Sequence, residues 1–250
     1  MAMTNVERES VPRKTVMLFF IIDTSGSMAG SRIGAVNSAI EETLEKLREM
    51  NADSADAEIE VALLEFSSGA NWLTPNGPVK AENYYWSGLD ADGLTAMGEA
   101  FRMLEEKLHK SSGFMQRASG SYAPVLFLMS DGEPNDDYRT HLAKLKNNGW
   151  FKASTKVALA IGDEANDHVL EEFTGSKEAI VKVSNSNAGA KLAKMIQFIA
   201  VTSSQVASTP ADAGDKTKQE QLEDAIQSAV NDDDDWDVGA SSSGGGGDDW

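Results

Sequence analysis

Continuous apolar runs alternate along this chain with stretches in which apolar residues return every three or four positions. The run Val16 to Ile22 (V-M-L-F-F-I-I) has the length and composition of a strand buried on both faces. After it, Ile33, Val36, Ile40, Leu44 and Leu47 recur at helical spacing between Arg32 and Met50. Glu58 to Phe66 reads as a second strand, and Ser67 to Trp86, with Gly69, Pro75, Asn76-Gly77 and Pro78, as a hairpin and edge strand. Met97, Ala100, Phe101, Leu104 and Leu108 form the stripe of a second helix, and Ser111 to Ser121 reads as a flexible connection. Val125 to Met129 is a central strand, and Tyr138 to Lys146 a helix carrying Leu142 and Leu145. Lys156 to Ile161 follows as a strand, His168 to Phe173 as a short helix, Ala179 to Val183 as the last strand and Ala188 to Ala200 as the last helix. About six strands and six helices in alternation predict an α/β, doubly wound, Rossmann-like fold. Its sheet is mostly parallel and six-stranded, with helices on both faces.

The pattern changes after Val206. Residues 1–13 form an N-terminal extension, 14–206 the domain, and 207–250 a linker, a short helix and an acidic tail. In that last part Leu222, Ala225, Ile226 and Ala229 share one face of a twelve-residue helix, Gln219 to Val230, too short to be stable without a surface to pack on. Beyond it come D-D-D-D-W-D, a Gly/Ser run and a terminal D-D-W. The composition predicts disorder. The repeated D-D-W, at Asp234-Asp235-Trp236 and Asp248-Asp249-Trp250, has the form of a short linear motif.

Candidate chemistry lies where the buried strands run out. Asp23, Ser25 and Ser27 alternate in I-D-T-S-G-S-M after the first strand, Thr95 precedes the second helix in G-L-T-A-M-G-E-A, and Asp131 follows the central strand in S-D-G-E-P. In open parallel sheets ligands bind beyond the carboxyl ends of the strands, where strand order reverses. Two carboxylates and three hydroxyls there offer only oxygen ligands, which suit a hard divalent cation such as Mg2+. Each piece also has a plain reading: D-T-S-G-S as a turn and helix start, Thr95 as an N-cap. Their joint occurrence distinguishes them.

These five positions resemble the metal-ion-dependent adhesion site of von Willebrand factor A domains, D-x-S-x-S followed by Thr and then Asp, and the resemblance covers roughly Lys14 to Val201. It implies that Ser25, Ser27 and Thr95 donate hydroxyls to Mg2+, with Mn2+ or Ca2+ as substitutes, and that Asp23 and Asp131 act partly through water. A protein partner's Asp or Glu would complete the coordination. Glu133 and Asp92 are neighbours that tune the site or sit on its rim. L-M-S-D-G-E-P-N-D-D and A-L-A-I-G-D-E-A-N are similar to the bacterial TerY group of tellurium-resistance and stress-response proteins, whose genes accompany a kinase and a phosphatase.

Composition narrows the remaining classes. The net charge is −18, of which −10 falls after Val206, which argues against phosphate-led nucleic-acid binding and against anionic membranes. There is no Cys, and the N-terminus lacks the apolar core of a secretory signal, so a cytoplasmic protein is expected. Neither a G-x-x-x-x-G-K-[ST] loop nor a G-x-S-x-G elbow is present. A haloacid-dehalogenase-like phosphohydrolase would need a second Asp two residues after Asp23, where Ser25 stands. His109, His141 and His168 share no spacing, and Trp72, Trp86 and Trp150 read as core or loop anchors. The expected function is therefore a non-enzymatic, Mg2+-dependent protein-binding module. A metal-indifferent scaffold recognising partners through its tail is the alternative.

Overall fold

In a computed structural model of the full chain, residues 14–53, 57–116, 121–162, 165–183, 194–199, 201–202, 216–232 and 237–238 are described. The N-terminal extension, most of the linker, both D-D-W copies and the start of the last expected domain helix lie outside these residues.

Five parallel strands form the body of the sheet: β1 (Lys14–Asp23), β2 (Ala57–Phe66), β5 (Val125–Ser130), β6 (Thr155–Ile161) and β7 (Ile180–Val183). Short antiparallel pieces finish its edges. β3 (Ala70–Trp72) and β4 (Val79–Lys80) both pair with β2, and β8 (Asp237–Val238) pairs with β7. The order is β3-β2-β1-β5-β6-β7-β8. Among the described residues the expected six strands become eight for two reasons. The turn around Pro75 and Gly77 splits the edge strand in two, and a dipeptide in the acidic segment adds a strand beside β7.

Alternation along β1 assigns the two faces. Val16, Leu18, Phe20 and Ile22 point to one core and Met17, Phe19 and Ile21 to the other, all essentially inaccessible. The first face is covered by α1 (Ser31–Asp53), α6 (194–199) and α7 (Lys218–Asp232). The second is covered by α2 (Met97–Lys107), α3 (Tyr138–Leu145), α4 (Gly149–Ala153) and α5 (Asp167–Thr174). The sequence pattern did not announce α4, a five-residue helix with one fully inward side chain, Phe151; Asn148 starts it by accepting from the amides of Trp150 and Phe151. The expected flexible connection is anchored in its described part: Met115 is buried and Phe114 meets Trp72 edge-on at 4.9 Å between ring centroids.

Helix α7 belongs to the same core as the sheet. Leu222 and Ile226 are 0% exposed within it. Gln219 satisfies Lys156 of β6 where β7 has not yet begun, its Oε1 accepting from the Lys156 amide (2.9 Å) and its Nε2 donating to the Lys156 carbonyl (3.1 Å). A side-chain amide there replaces the missing neighbouring strand. Asn51 of α1 does the same for Ile59 of β2.

Candidate metal centre

β1 and β5 are adjacent, and the chain leaves β1 for β2 on one side while β5 leads to β6 on the other. The loops after these two strands therefore diverge at the reversal of strand order, and Asp23 and Asp131 stand at their mouths. Asp23 is the last residue of β1 and 0% exposed. Its Oδ1 accepts from the Ser25 amide (2.8 Å), which folds the backbone back and aims Ser25 and Ser27 toward the carboxylate. Ser25 Oγ lies 3.1 Å from Ser27 Oγ, and Ser27 Oγ donates to Asp131 Oδ1 at 2.8 Å.

Thr95 joins them through a contact with Gly132. A Cβ built on Gly132 would lie 3.6 Å from Ser27 Oγ, 3.8 Å from Thr95 Oγ1 and 4.0 Å from Asp23 Oδ2. One point on the backbone after β5 thus faces oxygens from two other segments, the turn after β1 and the approach to α2, and the hydrogen bonds above tie Ser25 and Asp131 to the same group. All five residues singled out in the sequence converge.

The local geometry separates the ligand reading from the capping one. Ser25 occupies the N-cap position of a 3-10 turn (Gly26–Met28), yet its side chain makes no capping bond. Nor does Thr95 cap α2. The N-cap residue is Ala96, and the amides of Gly98 and Glu99 are taken instead by Asp136, at 2.9 and 3.0 Å. A carboxylate from another loop closes the helix end, which leaves both hydroxyls for the site.

Besides Asp136, three further supporting residues were not anticipated. Ser130 Oγ donates to Asp23 Oδ2 at 2.6 Å, Asn135 exchanges two hydrogen bonds with the Thr95 backbone (2.7 and 2.9 Å), and Arg32 Nη1 donates to Asp131 Oδ2. Ser130 was discoverable as the hydroxyl next to Asp131 at the end of a fully buried strand. The other two act across the fold and leave no local signal.

Burial pushes the Asp23 carboxyl above the ordinary carboxylate range; hydrogen bonds from Ser130 and Ser25 oppose that shift, and Asp131 adds to it. Arg32 meets the charge of Asp131, and the buried Asp23 beside it is left without a positive neighbour among the described residues. The donor set fits a hard divalent cation, with two carboxylates and three hydroxyls and no nitrogen or sulfur among them. Among the described residues no group of three or more His, Asp or Glu could hold a metal, so this mixed set is not matched elsewhere by a purely acidic or imidazole one.

The remaining candidates stand apart. Asp92 is exposed and turns back on the Gly93 amide (2.7 Å), and Glu133 accepts from Asn166 (2.8 Å), so both are rim residues. His168 pairs with Glu172 on the surface of α5, and His109, two residues past the end of α2, pairs with Glu105. Trp72 is core, packed on Phe19, whereas Lys110 lies over the Trp150 ring.

The model of the von Willebrand factor type A domain matches residues 18–197. No curated protein sequence matches this chain. Among solved structures, a von Willebrand factor type A protein from Catenulispora acidiphila superposes with a TM-score of 0.53 at 18% identity, over 74% of this chain and 42% of that one. Proximal thread matrix protein 1 from the mussel byssus, with a zinc-occupied MIDAS motif, gives 0.55 at 17%, over 75% and 48%. The vWF domain of the type V pili tip protein Mfa5 from Porphyromonas gingivalis gives 0.53 at 11%, over 82% and 100%. The chain spans less than half the length of the first two.

Proposed function

We propose, from the premise that this chain belongs to the von Willebrand factor type A family, that it is a Mg2+-dependent protein-binding module. The observation that carries the reading is the convergence of Ser27 Oγ, Thr95 Oγ1 and Asp23 Oδ2 around Gly132, with Ser25 and Asp131 hydrogen-bonded into the same group. Asp23, Ser25, Ser27, Thr95 and Asp131 would hold the cation, which supplies an electrophilic position for a partner's Asp or Glu. The protein's own part is to hold these oxygens in place before anything binds. β1 and β5 fix the two acids, Ser130 and the Ser25 amide orient Asp23, and Asn135 and Asp136 position the Thr95 loop. Few direct charges face the cation, so an incoming carboxylate is not repelled by a saturated ligand shell. Nothing in this arrangement calls for a nucleophile or a general acid, and the function we infer is binding.

The zinc-occupied MIDAS motif of the mussel protein and the pilus-tip origin of the Mfa5 domain support metal-dependent adhesion as the general mode. For the specific setting we infer a cytoplasmic bacterial stress-response or tellurium-resistance system. The support is the resemblance of L-M-S-D-G-E-P-N-D-D and A-L-A-I-G-D-E-A-N to the TerY group, and a kinase or phosphatase of that system is the expected partner. Among the described residues no helix is long and apolar enough to cross a membrane. Calorimetric titration with Mg2+ and Mn2+ tests the site: wild type should bind one equivalent, and Asp23→Ala and Ser25→Ala should not. Equal binding by the variants would refute the assignment. Capture of a partner that survives EDTA would move recognition to the tail.

A further inference from the structure

We infer that Arg32 sets the balance of this centre, weakening its hold on the cation so that the bound ion keeps charge for the partner's carboxylate. The inference rests on the metal-binding reading above and assigns a role to a residue outside the five ligands.

The two oxygens of Asp131 have different neighbours. Oδ1 accepts from Ser27 inside the ligand group, while Oδ2 accepts from Arg32, whose Nη1 also donates to the Ser27 carbonyl at 3.3 Å. The Asp131 side chain is 0% exposed and that of Arg32 22%. A buried carboxylate in contact with a guanidinium has its charge largely compensated before any metal arrives. Among the described residues Asp23 has no such partner: its oxygens receive the Ser130 hydroxyl and the amide and hydroxyl of Ser25. The pair is therefore asymmetric, with one acid neutralised by an arginine and one left for the cation.

The position of Arg32 supports a built role. It stands in the first turn of α1, where the macrodipole disfavours a cation, and that turn has no acidic residue. Helix physics alone gives no reason for the arginine. Gly162, at the end of β6, makes room for it. A Cβ there would come within 2.9 Å of the guanidinium carbon, and its φ of +93° is one a side chain would strain. The loop after β6 thus leaves a flat backbone face for the guanidinium, held by a hydrogen bond from the Gly162 amide to the Val183 carbonyl (2.8 Å).

A fixed positive charge behind a ligand carboxylate reduces that ligand's donation and repels the cation. Arg32→Gln retains a donor for Asp131 and removes the charge, whereas Arg32→Lys retains the charge and loses the planar fork. Titration of the full chain with Mn2+ should show Arg32→Gln binding roughly tenfold tighter than wild type, the direction that removing a like charge beside the cation dictates. Arg32→Lys should stay within about twofold of wild type, and circular dichroism should show both variants folded. If Arg32→Gln binds Mn2+ equally or more weakly while wild type binds it, the arginine only positions Asp131 and the inference is overturned. If Arg32→Lys alone shows the tightening, charge is not the cause and the inference is likewise overturned. If wild type itself binds no Mn2+, the metal reading fails, and this inference with it.

Discussion

Replacing Leu222 and Ile226 together by Ala tests whether α7 is part of the folding unit, although it follows the family match by about twenty residues. Both side chains are 0% exposed in the core that also holds Val157, Leu159 and Val181. Large-to-small changes at such positions cost about 2–5 kcal/mol each, so the pair would lose roughly 4–10 kcal/mol if the helix stayed in place. It need not stay. Once the loss exceeds the net free energy of docking, α7 detaches and the cost saturates, because ordering its backbone costs about 1–2 kcal/mol per residue and that term is recovered. We therefore expect an observed loss of about 3 kcal/mol or more in urea unfolding, with a smaller m-value as the helix leaves the cooperative unit. Hydrogen exchange should show protection of 218–232 collapsing before that of β1 and β5. Truncation after Val206 should cost less than the double substitution would without detachment, but should expose the apolar surface beneath α7. An unchanged urea midpoint and unchanged exchange in the double variant would refute the packing argument and place the domain boundary at 206. Otherwise we propose that the folding unit runs to Asp232.

Gly132→Ala should leave the fold intact, since its Cβ would meet nothing closer than 3.6 Å, yet put a methyl group into the space between the oxygens of Ser27, Thr95 and Asp23. Metal affinity by calorimetry should fall by about tenfold or more, and an unchanged affinity would place the cation elsewhere. Stabilisation by Mg2+ should depend on pH through Asp23. Its folded pKa is raised, so its contribution to the stability of the metal-free domain is complete below the unfolded value of 3.8 and disappears as pH rises through the folded value. Ionised Asp23 is also the form that binds a cation. The melting-temperature increase on adding Mg2+ should therefore be much larger at about pH 7.5 than at about pH 4, and equal increases would count against Asp23 as a ligand. Lys156 is the other titration to follow: burial pulls its ammonium down to about 8, against an ordinary 10.5, although Glu223 opposes the shift. Between those values the unfolded chain holds the extra proton, so this group raises stability as pH climbs through that window. Carbon-13 NMR of the lysine side chains should show one resonance titrating well below the rest, and a Lys156 midpoint near 10.5 would refute the burial argument.

The fold and the grouping of the five candidate residues were legible for one reason: each depends on local pattern. A strand buried on both faces must be almost wholly apolar, so Val16 to Ile22 and Val125 to Met129 stand out, and polar residues at their ends mark the same edge of the sheet. Asp23, Ser25, Ser27, Thr95 and Asp131 could be placed together because α/β topology sends those ends to one side. What local pattern could not supply was the assignment of tasks between loops. Thr95 before a helix is an ordinary N-cap until Asp136, from the loop after β5, is seen to hold the Gly98 and Glu99 amides. Arg32 in G-S-R-I reads as a solvated helix residue until β5 brings Asp131 to it and Gly162 clears its path. Leu222 and Ile226 formed a readable stripe, but their partners are strands some forty to seventy residues earlier. The same division explains the chemistry. Because Asp136 relieves Thr95 of capping and Arg32 compensates Asp131, the remaining unmet demand of the site is concentrated on Asp23 and three hydroxyls. That is a weak, directional set of ligands. Such a set leaves a bound cation with charge and an open position to spare, and this is the physical ground for expecting the partner to bring an acid.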